Sequence, residues 1–140
     1  SNYKYIFVGD KEYRPFMKIR NLTNKFTFNK ITIESFKHNH GSIDAHTYKI
    51  GNFAYTTDIK KFYNSDIDKL KNLDLWIVGL LRYENHPAHA GFDQIMSYIN
   101  YIKPKKTIFT HMTALLDQAH LNNSCPNNIK AGYDGMIIKI

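Results

Sequence analysis

The 140-residue sequence predicts a layered α/β fold of the α+β kind, and three features carry that prediction. Aromatic and β-branched residues alternate through the first third, as strands require. A clean amphipathic helix follows at Phe92, Ile95, Met96, Ile99 and Ile102, with apolar side chains at i, i+3, i+4, i+7 and i+10. Two compact apolar runs, LDLWIVGLL and KTIFT, flank that helix and read as buried strands.

In chain order, KYIFV, PFMKI and KFTFNKITIESF are expected to be strands separated by Asn, Asp and Gly. HTYKIGNFAYTTD reads as two strands joined at Gly51-Asn52, a dipeptide that accepts positive φ. Ser65 and Asp68 suit a capping box before a short helix that turns Ile67, Leu70 and Leu73 inward. LDLWIVGLL is expected to be covered on both faces. Pro104 stops the amphipathic helix, TALLDQAHLNN forms another, and Asp134-Gly135 turns the chain into a last strand, MIIKI.

Composition narrows the function. With 43% hydrophobic residues, residues 1–140 suffice for one domain with a real core. A net charge of +7 and a pI near 9.4 favour anionic partners, although no Lys/Arg block is dense enough for a nucleic-acid arm. The lone Cys125 excludes an internal disulfide and fits a reducing, cytoplasmic setting. No apolar run is long enough to cross a bilayer, so no membrane partner is expected. The chain opens with Ser1 rather than Met, which leads us to expect further chain upstream.

Polar residues collect where predicted strands stop. Asp58 ends AYTTD, His111 follows KTIFT, and His40 lies just beyond ITIESF. Imidazole and carboxylate together suit Zn²⁺, Mn²⁺ or Fe²⁺, and a carboxylate can bridge two ions. The stretch HNHGSIDAH does not supply an H-x-H-x-D-H motif. Ser42 stands where Asp is required, and Asp44 and His46 come two and three places late.

From about residue 26 onward, however, five fragments in order resemble the phosphodiesterase-like, PhnP-like branch of the metallo-β-lactamase fold. They are His40-Gly41, FAYTTDIK with Asp58, LDLWIVGLLR with HPAHAGFDQ and its His89, PKKTIFTHMT with His111, and AGYDG. The last two histidines keep the family separation, 111 − 89 = 22. The resemblance implies the C-terminal half of an αββα sandwich, a mixed sheet with helices on its outer face.

It also implies roles. His40 completes one metal site, His111 the other, and Asp58 bridges the two divalent ions, Zn or Mn. His89 faces the substrate phosphate as a catalytic group, its alternative being a cap on the helix near Gly91. His38 and His46 are expected to be solvated loop residues, His86 a turn residue and His120 a surface residue. Lys60, Lys61 and Arg82 either attract an anionic phosphate ester or are solvated surface. Since H-x-H-x-D-H is absent, the chain is expected to hold an incomplete site. It should be covered by a missing N-terminal half or a second copy as a dimer. The complete unit would hydrolyse a phosphodiester of the cyclic-phosphate type. The alternatives are an RNA-processing nuclease of the same fold, with nucleic acid as partner, and a metal-free, non-catalytic interaction module.

Overall fold

A computed structural model describes residues 4–139 except 10, 13, 19, 20 and 22. Its centre is one mixed sheet. Strands β1 (Lys25–Phe28), β2 (Ile31–His40), β3 (Ile43–Ile50) and β4 (Phe53–Thr56) form an antiparallel meander. A two-residue strand, β5 (Lys61–Phe62), pairs with β2 at His38 and Asn39. Three further strands, β6 (Leu75–Gly79), β7 (Lys106–Thr110) and β8 (Ile129–Ala131), add in parallel beyond β4. The sheet order is therefore β1-β2-β3-β4-β6-β7-β8.

The turns follow local chemistry. Asn29 and Lys30 both adopt positive φ in the two-residue β1–β2 turn, and Gly41 (φ +72°) and Gly51 (φ +54°) turn the next two hairpins. Such turns match the right-handed twist of the strands they join.

Parallel neighbours need crossovers, and these supply the helices. A 3₁₀ helix (Asn64–Leu70) lies between β5 and β6; α2 (Phe92–Ile102) joins β6 to β7 and α3 (Gln118–Ser124) joins β7 to β8. A short helical turn, α1 (Lys4–Val8), precedes them in the chain. Leu70, Ile95, Ile99, Ile102 and Leu121 pack with Trp76, Val78 and Phe109 in one core on one side of the sheet. Trp76 is wholly buried, so its removal would cost about 3–5 kcal/mol. The opposite face is less covered: the register partners Tyr48 and Tyr55 remain 37% and 40% exposed.

Several expectations need correction. KYIFV forms the helical turn α1 rather than a strand. The amides of Phe16 and Met17 both donate to the Ile6 carbonyl (3.0 and 3.1 Å), so a loop clasps this segment where a strand would need a ladder partner. Pro15–Lys18 are irregular, and Ile19 lies outside the described residues. The short helix expected behind Ser65 is 3₁₀ and starts earlier, after Tyr63, whose side chain makes no cap bond. The helix expected from Thr113 begins only at Gln118, where the Asp117 carboxylate accepts from the His120 amide (2.6 Å). Residues 136–139 form no strand, because β8 has already taken the free edge of β7; Ile137 is 86% exposed, and Ile140 lies outside the described residues.

Candidate metal centre

The carboxyl ends of parallel strands make an edge crevice where rigid backbone aims side chains. Here Asp58 stands two residues past β4, Gly79 ends β6, and His111 directly follows β7. Asp58 and His111 both take left-handed backbone, with φ +54° and +59°. Side chains other than Gly, Asn and Asp seldom adopt that region, and it is concentrated at functional positions. Gly79 lies between them: a Cβ there would stand 3.4 Å from Thr57 Cα, 3.5 Å from the Asp58 nitrogen and 3.6 Å from His111 Cβ. A residue longer than alanine would push the two apart.

His40 arrives from the far end of β2. The loop before α2 meets it: Ala88 lies against Gly41, where a Cβ would come within 3.1 Å of Ala88 Cβ. The Ala90 amide donates to the Ile59 carbonyl (2.7 Å), tying the loop that carries His89 to the loop that carries Asp58. Lys60 Nζ reinforces this by donating to the His86 carbonyl (2.7 Å).

The four residues expected at the site thereby converge. Ligand-capable atoms of His40, Asp58 and His89 lie within 4.8 Å of one another. His111 Nε2 is 3.3 Å from Asp58 Oδ1. The His89 ring sits between the other two imidazoles, 4.8 Å from that of His40 and 5.4 Å from that of His111. His89 does not cap α2, whose N-cap is Gly91 with no side-chain cap bond. Burial and the neighbouring His40 hold the His89 pKa below the ordinary imidazole value.

The donor chemistry suits a divalent cation. His40 Nδ1 donates to the Ala88 carbonyl (2.9 Å), which leaves Nε2 with its lone pair free. Asp58 offers two carboxylate oxygens beside it. When bound, a divalent ion would supply a Lewis acid and an activated water.

The remaining polar residues divide. His38 is not a solvated loop residue: it lies within β2 and is fully buried. Its Nε2 donates to the Thr57 carbonyl (2.9 Å), and burial holds its pKa below the usual range. His46 is a half-buried strand residue whose Nδ1 is 2.8 Å from Ser35 Oγ. Both differ from expectation because β2 and β3 run to Gly41-Ser42 with no loop between Phe36 and His40. His86 lies in the irregular loop before α2, its ring 5.6 Å from that of His89, and His120 is exposed. Lys61 is exposed, while Arg82 is half-buried with Nε lacking a hydrogen-bond partner. Sequence reading missed His38 and the close backbone approach at Gly91. No local signal marked His38, whose partners Thr47 and the Thr57 carbonyl come from elsewhere in the chain.

Comparison with known proteins agrees with this geometry. Residues 2–112 match the family described as the β-lactamase superfamily domain. A diphosphatase from the PhnP family superimposes with a TM-score of 0.84 at 25% identity, over 89% of this chain and 49% of that one. The short form of human tRNase Z superimposes with a TM-score of 0.63 at 14% identity, over 84% of this chain and 46% of that one, a likeness of fold. An octanoyltransferase from Porphyromonas gingivalis (strain ATCC BAA-308 / W83) is 34% identical over 109 residues, covering 76% of this chain but 22% of that protein. The chain thus spans about half the length of the solved structures it matches, and less of the curated relative. On these grounds the chain belongs to the β-lactamase superfamily and carries the metallo-β-lactamase fold in its PhnP-like form.

Proposed function

We propose that this chain is the C-terminal, substrate-facing part of a dinuclear metal-dependent phosphodiesterase. In this reading His40 and His111 would each help hold one divalent ion, Zn²⁺ or Mn²⁺, and the Asp58 carboxylate would be shared between the two. His89, neutral and at the centre of the cluster, hydrogen-bonds the substrate phosphate and holds a proton for the leaving oxygen. The observation that carries the reading is the Asp58 carboxylate, 3.3 Å from His111 Nε2 and in reach of both His40 and His89. The PhnP-family diphosphatase, matched across 89% of this chain, supports a phosphate-ester substrate, and the charge of +7 favours an anion.

His40, His111 and a shared aspartate give each ion two protein ligands, where zinc takes three or four. The remaining ligands would come from an H-x-H-x-D-H segment in a complementary half; a second copy of this chain, which has no such segment, could cover the exposed face but not complete the site. The partly exposed face bearing Tyr48 and Tyr55 supports such a partner, as does the half-length match to the diphosphatase. Cys125 is free and buried, which favours a reducing compartment such as the cytoplasm. Among the described residues no helix is long and apolar enough to cross a membrane.

The test is metal content and hydrolysis of bis(p-nitrophenyl) phosphate. Both are measured for residues 1–140 and again for a chain extended through the upstream coding sequence. Weak, substoichiometric metal in the short form, with two ions and turnover in the extended form, supports the proposal. Two tightly held ions in residues 1–140 contradict the incomplete site, and an extended form that stays metal-free contradicts the enzyme. Hydrolysis of tRNA precursors in place of the small diester would assign it to RNA processing.

A further inference from the structure

Behind the site runs a chain of four wholly buried polar side chains, Trp76, Thr56, Thr47 and His38, each at 0% exposure. They come from four strands, β6, β4, β3 and β2. Trp76 Nε1 donates to Thr56 Oγ1 (3.0 Å), Thr56 Oγ1 lies 3.1 Å from Thr47 Oγ1, and Thr47 Oγ1 lies 3.1 Å from His38 Nδ1. The last link joins His38 Nε2 to the Thr57 carbonyl at 2.9 Å.

The two ends set the direction. An indole N–H only donates and a carbonyl only accepts. His38 must therefore carry its proton on Nε2 and accept at Nδ1 from the Thr47 hydroxyl. Thr47, having used its proton, accepts from Thr56, and Thr56 accepts from Trp76. Every hydroxyl donates once and accepts once. The opposite tautomer of His38 would face the Thr57 carbonyl with a lone pair and leave a buried acceptor unsatisfied, at a cost of about 1–3 kcal/mol.

The carbonyl at the end of this relay belongs to the peptide that joins Thr57 to Asp58. Fixing its plane fixes the reference from which the φ of Asp58 is set, and that φ is the left-handed +54°. Gly79 closes the other side, with its position 3.4 Å from Thr57 Cα and 3.5 Å from the Asp58 nitrogen for an added Cβ. We propose that His38 is a positioning residue: the Trp76–Thr56–Thr47–His38 relay clamps the Thr57 carbonyl and so aims the Asp58 carboxylate at His40, His89 and His111. That Asp58 is a metal ligand rests on the function proposed above; that its backbone is clamped by His38 does not.

The test separates the two. Wild type is compared with His38→Leu, which deletes both links; with His38→Gln, which can keep a donor toward Thr57; and with Thr47→Val, which breaks the relay without touching His38. Three readouts are taken: imidazole ¹⁵N shifts of His38, backbone ¹³Cα and ¹⁵N shifts of Asp58, and Co²⁺ affinity from its visible absorbance. The proposal expects the Nε2–H tautomer in wild type. In His38→Leu and Thr47→Val it expects Asp58 shifts displaced from their left-handed values and Co²⁺ affinity at least tenfold lower. In His38→Gln both should be largely restored. If His38→Leu does not fold, Thr47→Val and the tautomer decide. The opposite tautomer, or variants that fold with wild-type Asp58 shifts, would overturn the proposal. If wild type binds no Co²⁺ yet the Asp58 shifts move, the metal assignment fails and the clamp stands.

Discussion

Asp58 and His111 meet at 3.3 Å from the ends of two strands that are not neighbours, and both do so in left-handed backbone. The intervening strand, β6, ends in Gly79, whose missing side chain leaves the two loops free to approach. The juxtaposition is thus built by the sheet, and the charge of Asp58 supplies its chemistry. Asp58→Asn separates the two contributions, because asparagine tolerates left-handed backbone as well as aspartate does. The variant should keep its urea midpoint, with stability changed by less than about 0.5 kcal/mol. Its Zn²⁺ affinity by calorimetry should fall by about tenfold or more. Unchanged affinity would remove Asp58 from the centre.

The loop that carries His89 is set by a backbone contact at Gly91. A Cβ at that position would lie 2.6 Å from the Tyr83 carbonyl oxygen and 2.8 Å from the Asn85 nitrogen, and backbone atoms have no flexible end to yield. Gly91→Ala should therefore destabilise the fold by about 1–3 kcal/mol in urea denaturation. It should also shift the His89 imidazole resonances. A neutral outcome in both would show that the loop is free to move.

Acid should weaken the fold in a window set by histidine rather than by carboxylates. His38 has a pKa lowered by burial, as does His89, so the folded chain binds these protons less readily than the unfolded chain does. The stabilisation is full above the unfolded imidazole value of about 6.5 and is lost as pH falls through the lower folded values. Urea midpoints should be flat from pH 8 to 7 and decline from pH 6.5 toward 5. His38→Gln should flatten part of that decline.

Burial pushes the Cys125 thiol above its ordinary pKa, with Lys130 opposing weakly. The thiolate is the reactive form, so labelling by iodoacetamide at pH 8 should be far slower in the native chain than in urea. The raised value also means that stability is retained below the unfolded thiol pKa and falls as pH rises through the folded one. Rapid native labelling would show that the α3–β8 corner opens.

How much of this was legible beforehand follows from where each signal resides. The helix Phe92–Ile102 and the hairpin at Gly51-Asn52 matched expectation, because periodicity and turn chemistry are local. KYIFV and MIIKI failed for the opposite reason: strand formation requires a partner edge, and five residues of suitable composition do not carry one. The nearness of His40, Asp58, His89 and His111 to one another was expected from fragments in the family's order, and the sheet does bring these four side chains together. His38 was misread because a buried imidazole becomes acceptable only when Thr47 and the Thr57 carbonyl arrive from other strands. Nothing in HNH itself distinguishes the histidine that faces the core from the one that faces the crevice. Being two residues apart in β2, they share a face of the sheet, so strand alternation does not separate them; only the depth along the strand does.

Whether His40, Asp58 and His111 share one cation-binding seam is decided by a Zn²⁺ titration followed through the imidazole ¹⁵N resonances of the seven histidines. His40 and His111 should respond together, with His89 shifting beside them, while His38, His46 and His120 hold still. Independent responses from His40 and His111, or a response confined to His46 or His120, would contradict a shared seam.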